Sequence, residues 1–135
     1  MKLSGTYSVS KWEETPIRPD VDGMRATRAS VEFLCAGDIE GTVEVEYLMF
    51  YTAFDEKDMH NSHARYVGQM KWTGTANGKS GSFALTNSGS YEGGVARSEI
   101  EIITSSGTGE LHSIAGSGSY VADAQGCRWE LELEF

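Results

Sequence analysis

Residues 127–135 read Cys127-Arg128-Trp129-Glu130-Leu131-Glu132-Leu133-Glu134-Phe135. Successive side chains of a strand point to opposite faces. Cys127, Trp129, Leu131, Leu133 and Phe135 therefore share one buried face, and Arg128, Glu130, Glu132 and Glu134 share a wet one.

The same period recurs upstream. Val43, Val45, Tyr47, Met49 and Tyr51 form an inner face, opposed at first by Glu44 and Glu46. Ala29, Val31, Phe33 and Cys35 form another, as do Tyr66, Met70 and Trp72 with Gly68 between them. Phe83 and Leu85, then Ile100 and Ile102, continue the pattern. Turn chemistry separates the runs. Asn77-Gly78 is a two-residue hairpin signal, and Asp38–Gly41, Gly93-Gly94 and Asp123–Gly126 also read as turns. Pro16 and Pro19 fall in a long polar loop after Trp12, and a second long loop runs over 55–61. Eight or nine strands result, and no segment reads as a helix.

A repeated device indicates how the sheet curves. Gly5-Thr6-Tyr7, Gly81-Ser82-Phe83, Gly89-Ser90-Tyr91 and Gly118-Ser119-Tyr120 each place a glycine two residues before an aromatic, on one face. Glycine lets a strand bend, and a ring covers the gap it leaves. The expected fold is all-β: a closed antiparallel barrel of eight or nine strands, one domain over residues 1–135.

At 135 residues the chain is long enough for one real core. Its net charge is −9, and Lys and Arg are scattered without a basic stripe. This argues against nucleic acid and against an anionic membrane surface as partners. The start, Met1-Lys2-Leu3-Ser4-Gly5, has no apolar signal core, no run approaches a transmembrane span, and two cysteines are too few for a disulfide framework. A cytoplasmic address is expected.

Local motifs favour structural readings. Gly74-Thr75-Ala76-Asn77-Gly78-Lys79-Ser80 superficially looks like a phosphate-binding loop, but it lies between strands rather than opening a helix. Asp55, Asp58, His60 and His63 crowd one loop with no period that sets them on a rigid face, so a metal site is not expected. Cys35 and Cys127 fall on inner faces without a histidine there, and His112 reads as a surface residue. No catalytic residue, cofactor or metal is assigned.

The barrel interior remains the candidate site. Tyr47, Tyr51, Tyr66, Met70, Trp72, Asn87 and Trp129 give it a polar-tipped aromatic lining that suits a small, partly apolar ligand. The alternative is a filled core, since eight-stranded interiors are just wide enough for side chains to fill. On the outer face, Leu48, Phe50 and Phe54 follow Glu44 and Glu46 without polar relief, and Val67 extends the patch. Such a patch marks an interface, with a two-fold homodimer as the simplest arrangement. The proline-bearing loop folding over it is the other reading.

Several segments resemble domain-of-unknown-function family 3224, a group of small bacterial proteins. They are Ala29-Ser30-Val31, Gly37-Asp38-Ile39-Glu40-Gly41, Glu46-Tyr47-Leu48-Met49, Tyr66-Val67-Gly68, 78–85 and Ser106-Gly107-Thr108-Gly109-Glu110-Leu111. The resemblance implies an allene oxide cyclase-like barrel, often oligomeric, and so admits cyclase- or isomerase-like chemistry by confinement. It also implies a glutamate where Met70 stands and a histidine where Asn87 stands. Without that pair, the chain lacks the family's obvious acid and base. A non-enzymatic structural or interaction protein is the second expectation.

Overall fold

Each alternating run is a strand, and each strand pairs with the next: β1 (Lys2–Pro16), β2 (Arg25–Gly37), β3 (Ile39–Ala53), β4 (His63–Ala76), β5 (Lys79–Glu92), β6 (Val95–Ile102), β7 (Ala115–Asp123) and β8 (Gly126–Glu134). β8 returns to β1, with Leu131 opposite Leu3 and Trp129 opposite Gly5, so all eight strands close into one barrel. Closure leaves no free sheet edge along the shared length. This computed structural model describes residues 1–135.

The tight turns follow their residues. Asn77 and Gly78 have φ of 51° and 74°, the left-handed pair that a two-residue hairpin of matching twist demands. Longer connections join β3 to β4 and β6 to β7, each with one 3-10 turn, Met59–Asn61 and Gly109–Leu111. No helix is long and apolar enough to cross a membrane.

The inner faces merge into one cluster of 27 buried apolar residues. Trp72, Trp129, Phe83, Met70 and Leu85 are its largest fully buried side chains. Leu111 and Ile114, from the β6–β7 connection, join the cluster and stopper the end where β5 begins. Burial of this area is the main driving force for closure.

Two details differ from the sequence reading. Three of the four glycines are covered by a ring or side chain directly across the sheet, not by the aromatic two residues on, while Gly81 lies under the Thr108 carbonyl of the β6–β7 connection. A Cβ on Gly5 would meet Trp129 Cζ2 at 2.5 Å, one on Gly89 would meet Tyr66 Oη at 2.7 Å, and one on Gly118 would meet Leu131 Cδ2 at 2.8 Å. Each cover is the glycine's register partner. Opposed residues bring their Cβ atoms within about 4.5–5.5 Å, whereas two steps along a strand span about 6.6 Å. Second, β1 does not end at Trp12 but continues to Pro16, pairing there with β2 alone. An edge position tolerates proline. The register shifts between Val9 and Lys11, so Trp12 and Glu14 fall opposite Val31 and Ala29 of the inner face.

Candidate functional site

All seven residues expected to line the interior reach the inner face and are buried. Several converge on one polar cluster. Asn87 Nδ2 donates to Tyr120 Oη at 2.9 Å, Tyr120 Oη and Tyr47 Oη lie 2.5 Å apart, and Tyr66 Oη and Ser98 Oγ also lie 2.5 Å apart. The Trp129 indole donates to the Thr6 carbonyl at 3.2 Å. Tyr51 bonds outside this cluster: Glu14 Oε2 accepts from Tyr51 Oη and Thr27 Oγ1, each at 2.8 Å. Sequence reasoning missed Tyr120, the hub, and Tyr7, which stacks on Phe33 at 4.9 Å and meets Trp72 edge-on at 5.7 Å. Their signal was present, since each closes a Gly-(Ser/Thr)-Tyr copy.

Burial pushes the hydroxyl pKa of Tyr7, Tyr47, Tyr66 and Tyr120 above the ordinary value. These groups stay protonated near neutrality and act as donors, not bases. The buried polar set is Thr27, Ser62, Ser82, Asn87 and Ser98, which includes no carboxylate and no imidazole. Tyr7 Oη, Trp72 Nε1 and Asn87 Oδ1 are buried without a partner. The interior thus offers packed rings and a few polar tips, with no acid–base pair.

An open groove of about 1080 Å³ lies on the outside of the wall. Cross-strand register builds it from two outward rows. Leu48, Val67, Ser88, Glu99 and Ser119 form one, and Phe50, Arg65, Ser90, Arg97 and Val121 the other, running from β3 to β7. Between them Tyr66, Gly89, Ser98 and Tyr120 belong to the inner face and make the floor. Small residues on β5, flanked by larger ones on β4 and β6, make the depression.

Leu48, Phe50 and Val67 are exposed, at 54%, 41% and 56%. Phe54 does not join them, correcting its place in the predicted interface. The register shifts between Tyr51 and Ala53, which ends the alternation. Phe54 then lies half-buried with its ring edge-on to Tyr51 at 5.1 Å and the Arg25 guanidinium 3.9 Å above it. The proline-bearing loop borders the groove with Ile17 and Arg18 and leaves Leu48 and Phe50 uncovered.

The remaining sequence candidates have local roles. Asp55 Oδ1 accepts from the backbone N–H groups of Lys57 and Asp58, and Asp58 Oδ1 accepts from that of His60. These oxygens organise their own loop. Cys35 and Cys127 are free, and burial pushes both thiols up to about 12. A thiol so raised is a poor nucleophile.

A closed eight-stranded antiparallel barrel with a packed interior and an open groove on its wall defines the class of this molecule. The chain belongs to the DUF3224 family, whose description is protein of unknown function and whose model matches residues 3–135. A crystal structure of a protein of unknown function from the same family, from Shewanella oneidensis MR-1, is similar with a TM-score of 0.76. Identity is 24%, covering 100% of this chain and 97% of that one, a likeness of fold. No curated protein matches the chain.

Proposed function

We propose that this protein is a non-enzymatic binding protein that takes a small, partly apolar molecule in the groove on its outer wall. The observation that carries the reading is the contrast between the two candidate sites. The interior is occupied by one contiguous cluster of 27 buried apolar residues. The groove offers about 1080 Å³, with Leu48, Phe50 and Val67 exposed along it. Small-molecule sites combine a concave apolar surface of this order of size with a few polar groups that orient the ligand. The serine hydroxyls of β5 and the flanking arginines supply those groups.

Catalysis has less support. Acid–base chemistry needs two groups with matched pKa values at the reacting atoms. Met70 and Asn87 hold the inner-face positions where the family resemblance implies such a pair, and the tyrosines around them are held protonated.

The test is titration with N-phenyl-1-naphthylamine, a neutral apolar dye that fluoresces when it leaves water. Saturable binding is expected, and Leu48→Glu/Phe50→Glu should abolish it. Absence of saturation, or binding that survives the double substitution, contradicts the reading.

A further inference from the structure

We propose that the groove selects an organic anion, an acidic head on an apolar body, with the head between Arg65 and Arg97 and the body along Leu48, Phe50 and Val67. This inference rests on the groove being the binding site and adds the ligand's charge and orientation.

The first argument is the arginine pairing pattern. Outside the groove, Arg25 pairs with Asp20 and Glu56, Arg28 with Glu46, and Arg128 with Asp123. Arg18, Arg65 and Arg97 take part in none of the ion pairs, and all three line the groove. Asp123 lies close enough for Arg97 to help depress its pKa, after the larger effects of Arg128 and the Gln125 N–H. Its oxygens are nevertheless engaged by Arg128 at 2.8 and 3.2 Å. Glu99 is the one carboxylate in the lining. The groove is therefore a net positive site on a chain of net charge −9.

Register supplies the second argument. Arg65 lies opposite Ser90, and Ser90 opposite Arg97. Two guanidiniums thus flank one serine from the strands on either side, about 10 Å apart at the backbone for two strand spacings. A carboxylate or similar head placed over Ser90 is in reach of both forks and of the hydroxyl. Phe50 lies opposite Arg65 in the same row, and Leu48 and Val67 lie opposite each other in the next. The polar and apolar parts are therefore adjacent and fixed relative to each other by the sheet. A second copy of the chain fits this surface less well. A two-fold contact sets the same patch of both copies against each other, so two net positive surfaces would meet, at a cost from like charges.

The experiment compares 8-anilinonaphthalene-1-sulfonate with N-phenyl-1-naphthylamine, which share an aromatic body and differ in the sulfonate. The anionic dye should bind about tenfold more tightly at low salt, the combined effect of two exposed charge contacts. That advantage should shrink at about 0.5 M salt. R65Q/R97Q should remove it, so that the anionic dye binds no more tightly than the neutral one. Equal affinities, with the neutral dye still lost in Leu48→Glu/Phe50→Glu, overturn the anion inference and leave the groove reading standing. Binding of neither dye overturns both. Sedimentation of the wild type in the same buffer guards against the remaining occupant. A dimer dissolved by Leu48→Glu/Phe50→Glu makes this face an interface between copies and overturns both readings.

Discussion

At the residue scale, Trp129 shows how one side chain ties the barrel shut. Its ring covers Gly5 of β1 across the closing seam, meets Trp72 edge-on at 5.3 Å and donates to the Thr6 carbonyl. Trp129→Ala should cost about 3–5 kcal/mol, the range for a large core aromatic, read as a shift of the urea midpoint. A loss below about 1 kcal/mol would contradict its placement. Burial also makes the molecule sensitive to alkali. Cys35 and Cys127 rise from an ordinary 9.0 to about 12, and Tyr7, Tyr47, Tyr66 and Tyr120 rise above 10.0. Well below pH 9 both states keep these protons. Between about 9 and 12 the unfolded chain releases thiol protons that the folded chain retains, so unfolding is favoured. Urea midpoints should fall steadily above pH 9, and less steeply in Cys35→Ala/Cys127→Ala. A flat profile to pH 10.5 would contradict the burial. Trp129, Tyr47, Tyr51 and Tyr66 were legible as inner-face residues because alternation alone assigns a face. Which of them would bond to which was not, since Tyr47 and Tyr120 are 73 positions apart and meet only once the barrel closes.

At the scale of elements, turns and bends respond differently to an added methyl. Gly78 has φ of 74° with nothing within 4 Å of an added Cβ, so Gly78→Ala meets only backbone strain. That strain is roughly 1–2 kcal/mol. An added Cβ on Gly68 would lie 2.2 Å from the Glu46 carbonyl oxygen on β3, so the two strands must part. Gly68→Ala should therefore destabilise more than Gly78→Ala in the same urea assay. The reverse order would contradict the tight β3–β4 approach. The Asn77-Gly78 hairpin was readable because its chemistry is local. The extension of β1 to Pro16 was not, because Lys11–Pro16 pair with β2 alone and never acquire the two-sided contacts that impose alternation. Phe54 was misplaced for a related reason: a register shift at a strand end leaves no mark in the residues themselves.

At the scale of the whole molecule, closure occupies one face of the sheet and the proposed binding the other. The inner face commits its rings to packing, and the outer face carries the groove and the arginines left without ion pairs. Sequence alone showed Leu48, Phe50 and Val67 as an apolar break in a charged wall. It did not show Arg65, Ser90 and Arg97 as their neighbours, because that row draws on β3 to β7 and exists only in the assembled register. The central claim is that the molecule binds on its wall rather than in its interior. Amide chemical-shift mapping by two-dimensional ¹H–¹⁵N NMR, with 8-anilinonaphthalene-1-sulfonate titrated into labelled protein, tests it most directly. The account predicts the largest shifts at Phe50, Arg65, Val67, Ser88, Ser90 and Arg97, and largest shifts instead at Trp72, Asn87 and Trp129 would contradict it.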